Sequence, residues 1–480
     1  MIKTTRLRCA ACDFGASGGR VIEGAFDGKR LELTEVRRVS HYPVRMGGDL
    51  YWDFPLLFSE MLAGLQASVS SGALRSIGID TWGCDFGLLD RSGRLRSNPL
   101  SYRDESNDAA MKEVLSILGE RRLYEQTGVV NMALNTVFQL FKHKQRGDLE
   151  SVSNMLLLPD LFSYFLTGEI SSEYTAATTT QLFGDGSWLT DVIRDLALPD
   201  DIFTGIVMPG TLKGIVNEPY GPLTGVRLVS VPGHDTACAL ESANGITADD
   251  VLISSGTWSM LGNIADSPFI NDAGFTGGYS NYGAADGSLL VRDIAGMWII
   301  NNCKLKWESG GKRMAFSDIV EAAEAAAPFG AFIDPDDEEF YSAQDMPAAI
   351  MRKCTGIPPR TDGEIARCVF ESLALKYRRA IEELEQVSGK KSGLIRIIGG
   401  GARNELLCQM VADACGRVCV CGPYEATAAG NVFSQLIAAG ELERGQIGDV
   451  IKDSFELRTY EPKNTKRWAE ISNEIIIDNR

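Results

Sequence analysis

Asp13-Phe-Gly-Ala-Ser-Gly-Gly-Arg20 joins two strand-like segments through a turn rich in glycine. Residues 7–14 are apolar enough for a buried strand, and residues 20–26 predict a second strand that returns beside it. Glycines at such a turn leave backbone N–H groups free to meet phosphate oxygens, and the Ser17 hydroxyl adds a donor. This segment therefore predicts a β-hairpin whose tip is suited to phosphate.

The same arrangement returns in the second half of the chain, at Ser254-Ser-Gly-Thr-Trp-Ser259. Residues 251–255 predict a strand, Gly256-Thr257 a turn, and residues 258–263 a second strand. One glycine-rich hairpin is common in proteins. Two of them, each opening its own half, predict two phosphate-contacting loops and a boundary near residue 245.

The segments between and after the hairpins alternate between strand and helix patterns. Further strands are predicted at residues 31–40, 76–81, 86–89, 394–398 and 418–421, and helices at 56–69, 362–386, 404–415 and 426–439. This alternation predicts an α/β protein. A length of 480 residues exceeds what one hydrophobic core accommodates, so we expect two domains, at residues 1–245 and 246–480.

Composition narrows the class of function. The net charge is 47 − 64 = −17, which argues against nucleic acid as the main partner because phosphate neutralisation needs clustered Lys and Arg. No run approaches the roughly 18 uncharged apolar residues that cross a bilayer. The stretch after Met1-Ile-Lys-Thr-Thr-Arg6 is interrupted by charges and does not predict a secretory signal. We therefore expect a cytoplasmic protein, with no membrane partner, that binds small molecules.

The eleven cysteines raise the alternatives of a zinc site or a disulfide. Cys9 and Cys12 lie in a predicted strand, where residues three apart point to opposite faces. Zinc motifs usually bring two tight pairs, which favours incidental or buried cysteines here. A bridge between Cys354 and Cys368 stays open, although a reducing cytosol disfavours it.

Candidate catalytic chemistry lies in Gly233-His-Asp-Thr236, at the end of one predicted strand. Asp235 is either the N-cap of the following helix or a carboxylate that accepts a proton from a substrate hydroxyl in phosphoryl transfer. His234 is the competing candidate. In the first hairpin, Asp13 is placed to hold a magnesium ion, often through water, and Arg20 to add charge near phosphates.

A run of three glycines, Gly399-Gly400-Gly401, stands between a predicted strand and a predicted helix. Such a run lets a flat ring or a phosphate approach the backbone closely. It is not GxGxxG, and no GxxxxGK[ST] occurs in the sequence, so dinucleotide-binding and P-loop folds are not indicated.

Taken together and in this order, these segments resemble the FGGY family of carbohydrate kinases across essentially the whole chain. The stretches that carry the resemblance are Asp80-Thr-Trp-Gly-Cys-Asp85-Phe86, Ser101-Tyr-Arg-Asp104, Pro159-Asp160-Leu-Phe-Ser-Tyr164, Tyr174-Thr-Ala-Ala-Thr-Thr-Thr-Gln181, Gly233-His-Asp-Thr236 and Ser254-Ser-Gly-Thr-Trp-Ser259. The resemblance implies a two-domain actin-like ATPase fold, also called ribonuclease H-like, with ATP and sugar in the interdomain cleft. It implies a sugar-binding domain at 1–245 and a nucleotide-binding domain at 246–480.

The resemblance also implies residue roles. Asp235 is the expected proton acceptor, His234 and Thr236 flank it as sugar contacts, and Gly83 contacts the sugar through its backbone. The expected ATP site comprises Ala16, Ser17, Gly18, Gly19, Arg20, Thr257, Asn301 and Gly400. Magnesium is expected near Asp13 and Asp235. Asp293 is an expected sugar contact, but Asp293 and Asn301 depart from the family pattern, in which Asn and Gln are expected.

Within the family, the resemblance is greatest to kinases that phosphorylate L-rhamnulose at its 1-hydroxyl. A kinase for L-fuculose, another deoxy sugar or a pentulose is an alternative that the sequence leaves open. Only a few side chains distinguish the orientation of one hydroxyl, and the sequence discriminates poorly between such sugars. An actin-like ATPase without a small substrate is the alternative from another class; it predicts ATP turnover unaffected by sugars. We expect a monomer or a small homo-oligomer.

Overall fold

The computed structural model describes residues 6–243, 245, 247 and 249–475. The first half forms the following elements: β1 (Leu7–Gly15), β2 (Gly18–Phe26), β3 (Leu31–Ser40), β4 (Val44–Met46), β5 (Asp49–Tyr51), α1 (Phe54–Ser70), β6 (Ser76–Thr81), β7 (Phe86–Asp90), α2 (Asn107–Leu118), α3 (Glu120–Thr127), α4 (Thr136–Gln145), β8 (Val152–Leu157), α5 (Leu158–Thr167), β9 (Ser172–Glu173), α6 (Tyr174–Thr178), β10 (Phe183–Gly184), β11 (Ser187–Trp188), α7 (Thr190–Asp195), β12 (Ile206–Val207), β13 (Leu212–Ile215), β14 (Arg227–Val229) and α8 (Asp235–Glu241).

The second half continues in chain order with β15 (Val251–Ser255), β16 (Trp258–Ala265), α9 (Asp272–Gly277), β17 (Ser280–Gly283), β18 (Ser288–Ala295), α10 (Trp298–Ser309), α11 (Phe316–Ala325), β19 (Ala331–Phe332), α12 (Glu338–Ser342), α13 (Met346–Lys353), β20 (Thr355–Gly356), α14 (Asp362–Ser388), β21 (Ile395–Ile398), α15 (Glu405–Cys415), β22 (Cys419–Cys421), α16 (Ala426–Ala438), α17 (Ile447–Ser454), β23 (Arg458–Tyr460) and α18 (Thr465–Glu474). Strands alternate with helices in both halves, as the sequence pattern predicts.

Residue contacts divide the chain into two compact units. The first comprises Met1–Gly245, Ala265–Leu290 and Ala426–Phe455, and the second comprises Ile246–Ile264, Val291–Glu425 and Glu456–Arg480. This division differs from the predicted one, which assigned all of residues 246–480 to a single domain. The predicted boundary itself adjoins residues 244, 246 and 248, which are outside the described residues.

The first unit contains a six-stranded sheet with the order β13-β14-β6-β1-β2-β3. Strands β1 and β2 pair antiparallel, while β1 and β6 pair parallel from Cys9↔Ser76 to Phe14↔Thr81. Strand β1 is buried along most of its length, as expected for a strand covered on both faces. The helix α16 packs against β1, β6 and α8. This packing explains why residues from the end of the chain belong to the first unit.

The second unit repeats this plan. Strands β15 and β16 pair antiparallel, β15 and β21 pair parallel, and β22 and β23 extend the sheet beyond β21. The long helix α14 packs against α11 and α15. It begins at a capping box in which the Thr361 hydroxyl accepts from Glu364 N (3.2 Å) and the Glu364 carboxylate accepts from Thr361 N (3.0 Å). It ends before Gly389, whose φ of 69° terminates helices readily.

The predicted elements can be compared directly with these bounds. The strands predicted at residues 31–40, 76–81 and 251–255 are confirmed at those ends, and the helix predicted at 362–386 continues to Ser388. No helix in the described ranges has an apolar stretch of the length needed to span a membrane. The N-terminal residues considered for a secretory signal, up to residue 5, are outside the described part of the chain.

Candidate active site

Two aspartates lie side by side at the carboxyl ends of β1 and β6. Asp13 and Asp80 are register partners in the parallel pair, so their side chains share one face of the sheet. Asp13 is buried and accepts a hydrogen bond from Arg20 Nη2 at 2.6 Å. Carboxyl ends of parallel strands are the usual place for ligands in α/β sheets, which makes this edge the first candidate site.

Asp80 is held in place by a chain of buried amides. Its Oδ2 accepts from Asn431 Nδ2 at 2.7 Å, and Asn431 Oδ1 accepts from Gln435 Nε2 at 2.7 Å. Gln435 also accepts from the Ser76 hydroxyl and donates to the Ala10 carbonyl. Asp80 Oδ1 has no hydrogen-bond partner among the described residues. One oxygen of this fully buried carboxyl is therefore fixed and the other is available.

Asp235 is the first residue of α8, and the preceding loop is tied to the same sheet edge. Thr81 N donates to Gly233 O at 2.9 Å, and Thr81 and His234 form a parallel bridge. The N-cap residue is His234, which makes no side-chain capping bond. The N-cap interpretation of Asp235 is therefore wrong: its carboxylate stands one position inside the helix, 29% exposed.

The loop before Asp235 is held in place by hydrogen bonds to Glu173. This buried carboxylate accepts from Gly233 N at 2.8 Å, from Ala176 N at 2.9 Å and from the Thr175 hydroxyl at 2.7 Å. The Thr175 hydroxyl in turn accepts from His234 N at 3.2 Å. A Cβ added to Gly233 would lie 2.9 Å from Glu173 Oε2, so only glycine admits this close approach. Glu173 therefore positions Asp235 through the backbone.

Burial dominates the electrostatics of this edge. It raises the pKa of Asp235 to about 6, with hydrogen bonds from Thr236 opposing the rise. It lowers the pKa of His234 to about 4, so this imidazole is neutral at pH 7. Burial and the neighbouring Asp13 charge raise the pKa of Asp80 well above its usual value. A general base works best with a pKa near the working pH, which favours Asp235 over His234 as proton acceptor.

The other predicted sugar contacts of the first unit lie close to Asp235. Thr236 is buried next to it and donates its hydroxyl to Asp235 Oδ1 at 3.2 Å. The His234 ring lies with its Nε2 3.6 Å from the same oxygen and packs edge-on against Tyr282. Gly83 follows β6 two residues after Thr81, at a bend where an added Cβ would meet Thr179 at 3.1 Å. The structure thus brings these residues to one edge of the first sheet.

The predicted phosphate loop forms the tight turn between β1 and β2. Gly15 pairs with Gly18, which leaves Ala16 and Ser17 as the two turn residues. Ser17 is exposed, as a ligand-binding donor must be. Gly19 is required for packing, because its added Cβ would lie 2.3 Å from the Phe14 ring. The turn stands at the same sheet edge as Asp13.

The predicted ATP residues Thr257, Asn301 and Gly400 all belong to the second unit. Thr257 is in the turn between β15 and β16, and its carbonyl accepts from Trp298 N at 3.0 Å, where α10 begins. Asn301 is exposed on the first turn of α10. Gly400 is exposed directly after β21, the strand that pairs parallel with β15. These three residues therefore gather around the carboxyl end of β15, within the second unit.

Asp293 lies on β18 and is also a residue of the second unit. Its negative charge is among the causes that raise the pKa of the nearby Tyr341. Asp336 and Asp334, which form ion pairs with the buried Lys376, act on the same phenol. Asp293 is therefore part of an acidic region, and its contact with sugar stays a prediction.

Metal-ligand and disulfide chemistry can be judged from the same geometry. All eleven cysteines are free, including Cys354 and Cys368, so the disulfide alternative is wrong. In the described ranges, no three His, Cys, Asp or Glu side chains are grouped for a metal ion. The acidic edge at Asp13 and Asp80 supplies carboxylate oxygens, the donors that Mg²⁺ prefers, and magnesium commonly needs only one or two of them besides phosphate.

Two residues that lie close to the predicted site were not predicted as part of it: Asp80 and Glu173. Asp80 stands within a stretch that carried the family resemblance, but its pairing with Asp13 depends on a strand register across 67 residues. Glu173 contacts Asp235 only indirectly, through the backbone of Gly233 and the Thr175 hydroxyl. Asp80 lies inside the strand predicted at residues 76–81, whereas no pattern in the sequence pointed to Glu173.

Comparison with protein families gives two matches that together span most of the chain. Residues 48–240 match the N-terminal domain of the FGGY family of carbohydrate kinases, and residues 251–439 match its C-terminal domain. Among curated proteins, the chain is 36% identical to a rhamnulokinase of Bacteroides thetaiotaomicron over 471 residues, covering 95% of this chain and 96% of that protein. It is 33% identical to a rhamnulokinase of Bacillus subtilis, covering 95% and 96%.

Solved structures show the same fold at low sequence identity. Gluconate kinase from Lactobacillus acidophilus superposes with a TM-score of 0.81 at 15% identity, covering 98% of this chain and 96% of that one. Plasmodium falciparum glycerol kinase with ADP superposes with a TM-score of 0.78 at 14% identity, covering 98% and 97%. The predicted two-domain α/β fold is confirmed by these similarities.

Proposed function

Because the chain belongs to the FGGY family of carbohydrate kinases, we propose that it transfers the γ-phosphoryl group of ATP to the 1-hydroxyl of L-rhamnulose. The sugar rests on similarity to rhamnulokinases that are 33–36% identical over about the whole chain. The single observation that carries the chemistry is the partly exposed Asp235 carboxylate, held by a fixed loop at an acidic sheet edge.

In the proposed reaction, Asp235 accepts the proton of the 1-hydroxyl while that oxygen attacks the γ-phosphorus. The bond between the γ-phosphorus and the bridging oxygen breaks, and ADP leaves with the electron pair. Phosphoryl transfer asks for positioning and charge stabilisation more than for covalent help from the protein. His234 and Thr236 orient the sugar beside Asp235, and Gly83 contacts it through the backbone.

The proposed ATP contacts come from both units. Backbone N–H groups of the turn at Ala16–Gly19 and the Ser17 hydroxyl suit phosphate oxygens, and Arg20 adds positive charge near them. In the second unit, Thr257 offers a hydroxyl, while Gly400 offers an unobstructed backbone, since an added Cβ meets no atom within 4 Å. Asn301 completes the proposed set.

Magnesium fits this proposal by the chemistry of its donors. Asp13 and Asp235 would hold the ion, largely through water, and Asp80 Oδ1 has no partner among the described residues. When bound, Mg²⁺ neutralises charge on the transferred phosphate. We further propose that the enzyme is cytoplasmic, acts on small molecules without nucleic acid or membrane partners, and works as a monomer or small homo-oligomer.

The test is ADP release by the purified protein, measured with a coupled assay across L-rhamnulose, L-fuculose and pentuloses, with aldoses and glycerol as controls. We expect the highest kcat/KM for L-rhamnulose, by about tenfold or more, and a 1-phosphate product by phosphorus NMR. A higher kcat/KM for L-fuculose or a pentulose would show that this sugar, and not L-rhamnulose, is the preferred substrate. ATP hydrolysis that no sugar accelerates would overturn the kinase assignment in favour of an actin-like ATPase.

A further inference from the structure

A group of buried aromatic rings lies beside Gly83. It consists of His41, Trp52 and Trp82, and we refer to it as the aromatic cluster. The centroids of the two indoles are 4.4 Å apart, and the imidazole lies 5.4 Å from Trp52 and 5.5 Å from Trp82. Trp82 immediately precedes Gly83, so the cluster stands next to a proposed sugar contact.

The aromatic cluster is held rigidly by one carboxylate. Both indole N–H groups donate to Asp85 Oδ2, from Trp52 at 2.5 Å and from Trp82 at 2.9 Å. Gln139 donates to the other oxygen at 3.0 Å. Asp85 is itself fully buried. Rings fixed in this way form a preorganised wall, which is the property that a specific binding site needs.

His41 connects this wall to the phosphate loop. Its Nε2 lies 3.0 Å from the carbonyl oxygen of Gly15, at the start of the turn between β1 and β2. A carbonyl oxygen only accepts, so Nε2 carries the hydrogen. Burial lowers the pKa of His41, which keeps the ring neutral and leaves Nδ1 as an acceptor.

Nδ1 of His41 has no hydrogen-bond partner among the described residues, although the side chain is only 5% exposed. A buried acceptor without a partner destabilises the fold, and such atoms usually have a role. A donor outside the described residues would satisfy this nitrogen. A sugar hydroxyl is a donor of this kind.

The aromatic cluster and the proposed catalytic residue are both linked to the carboxyl end of β6. Thr81 is bridged to His234, next to Asp235, and Trp82 contacts His41. The chain from Thr81 to Gly83 spans at most about 7 Å. Asp235 and His41 are therefore both connected, through His234 and Trp82, to residues at the carboxyl end of β6.

We propose that Nδ1 of His41 accepts a hydrogen bond from a ketose hydroxyl other than the one that is phosphorylated, which makes His41 a sugar-binding residue. This rests on the proposed function. The same imidazole donates to the Gly15 carbonyl, so it would contact both the bound sugar and the predicted phosphate loop.

Two substitutions separate the two ring nitrogens. His41→Gln keeps an amide near the Nε2 position, where it donates to Gly15, but places nothing at Nδ1. His41→Asn keeps an amide at the Nδ1 position and loses the bond to Gly15. We expect His41→Gln to raise the KM for the ketose about tenfold, the usual effect of one buried hydrogen bond, with the KM for ATP unchanged. We expect His41→Asn to bind ketose within about threefold of the parent.

The outcomes distinguish this proposal from the proposed function. If the parent phosphorylates the ketose and His41→Gln leaves its KM unchanged, His41 does not bind sugar. Equal losses for ketose and ATP in both variants would indicate a structural role and also contradict the proposal. If the parent phosphorylates no ketose, the proposed function falls, and this inference falls with it.

A second measurement changes the substrate instead of the protein, and it applies even if a variant fails to fold. Ketoses that each lack one hydroxyl are compared on the parent enzyme and on the variants that fold. A single deoxy analogue is expected to raise the parent's KM by the factor that His41→Gln causes, with no further loss in the variant. If every deoxy analogue has the parent substrate's KM, no hydroxyl is bound at this position.

Discussion

The two units contain the same arrangement of strands with different chemistry at matched positions. In the first unit β2-β1-β6-β14 follows the order that β16-β15-β21-β22 follows in the second. Both begin with a hairpin whose first strand pairs parallel with a later strand. Two residues before the turn glycine, the parallel partners are Asp13 and Asp80 in the first unit and Ser254 and Ile398 in the second.

This difference agrees with the proposed division of catalytic and nucleotide-binding roles between the two units. The first sheet presents carboxylates, which suit proton transfer and metal binding. The second presents a hydroxyl, an aliphatic side chain and then three glycines, which suit close approach by a neutral ring or a phosphate. The following predictions test this division.

The largest effect is expected at Asp235. Replacing Asp235 by Asn removes the proposed proton acceptor and should lower kcat about 10²- to 10⁴-fold, the range of general base catalysis, while largely sparing ATP binding. Steady-state kinetics and ATP titration measure the two quantities. The exposed Asp201 in the same unit, changed to Asn, is the control. Activity within tenfold of the parent would exclude Asp235 as the base.

The matched positions of the two hairpins should respond unequally. Asp13→Asn removes a proposed magnesium ligand and should lower kcat about 10²-fold. Ser254→Ala, at the corresponding place in the second sheet, should change kcat by less than about fivefold. Both variants are compared at saturating ATP and sugar. Equal losses would show that the acidic chemistry is not confined to the first unit.

The pH profile follows from the raised pKa of Asp235. Below a pKa of about 6 the carboxyl is protonated and cannot accept a proton, so kcat/KM should fall tenfold per pH unit as the pH decreases. Above it the profile should be flat. Initial rates between pH 5 and 8 measure this, and an inflection near 4 would point to an unperturbed acid or to His234.

The raised pKa of Asp235 also affects the stability of the fold. It suits a general base near neutral pH, but it lowers the free energy of unfolding there. The folded pKa of Asp235 lies above its usual value of 3.8, so the folded state binds more protons between these values. Stability is therefore lost as the pH rises through this window. Asp235→Asn should gain stability relative to the parent from pH 4 to pH 7, by chemical denaturation. A constant difference would contradict the shift.

The smallest effect is expected in the glycines of the second unit. An added Cβ at Gly401 would lie 2.0 Å from the Ser255 hydroxyl, whereas at Gly400 it would meet no atom within 4 Å. Gly401→Ala should therefore lower the free energy of unfolding by about 1–3 kcal/mol through overpacking, and Gly400→Ala should leave it unchanged. Thermal unfolding compares the pair. Equal melting temperatures would show that this strand end tolerates bulk.

Local signals predicted most of the fold. The strands at residues 31–40, 76–81 and 251–255 were predictable because the apolar pattern of a strand and the turn residues that bound it lie within a few positions of each other. The two hairpins were likewise visible as a repeated glycine and hydroxyl pattern. The membership of α16 in the first unit was not, because an apolar helix face does not specify which sheet it covers.

The site was predictable only where the chain itself brings residues together. Gly233, His234, Asp235 and Thr236 are consecutive, so one motif identified them. Asp80 and Glu173 act through strand register and backbone bonds, and no spacing in the sequence encodes either. His41 shows the same limit, because its proposed role depends on Nδ1, which has no hydrogen-bond partner among the described residues.

The hydrogen bond between Asn431 and Asp80 also affects how the chain folds during its synthesis on the ribosome. The two residues are 351 positions apart, and their pairing buries Asp80 beneath α16. At a translation rate of about 5–20 residues per second, Asp80 leaves the ribosome roughly 20–70 s before its partner exists. During that interval the part of the first sheet that α16 covers stays exposed, because α16 has not yet been synthesised.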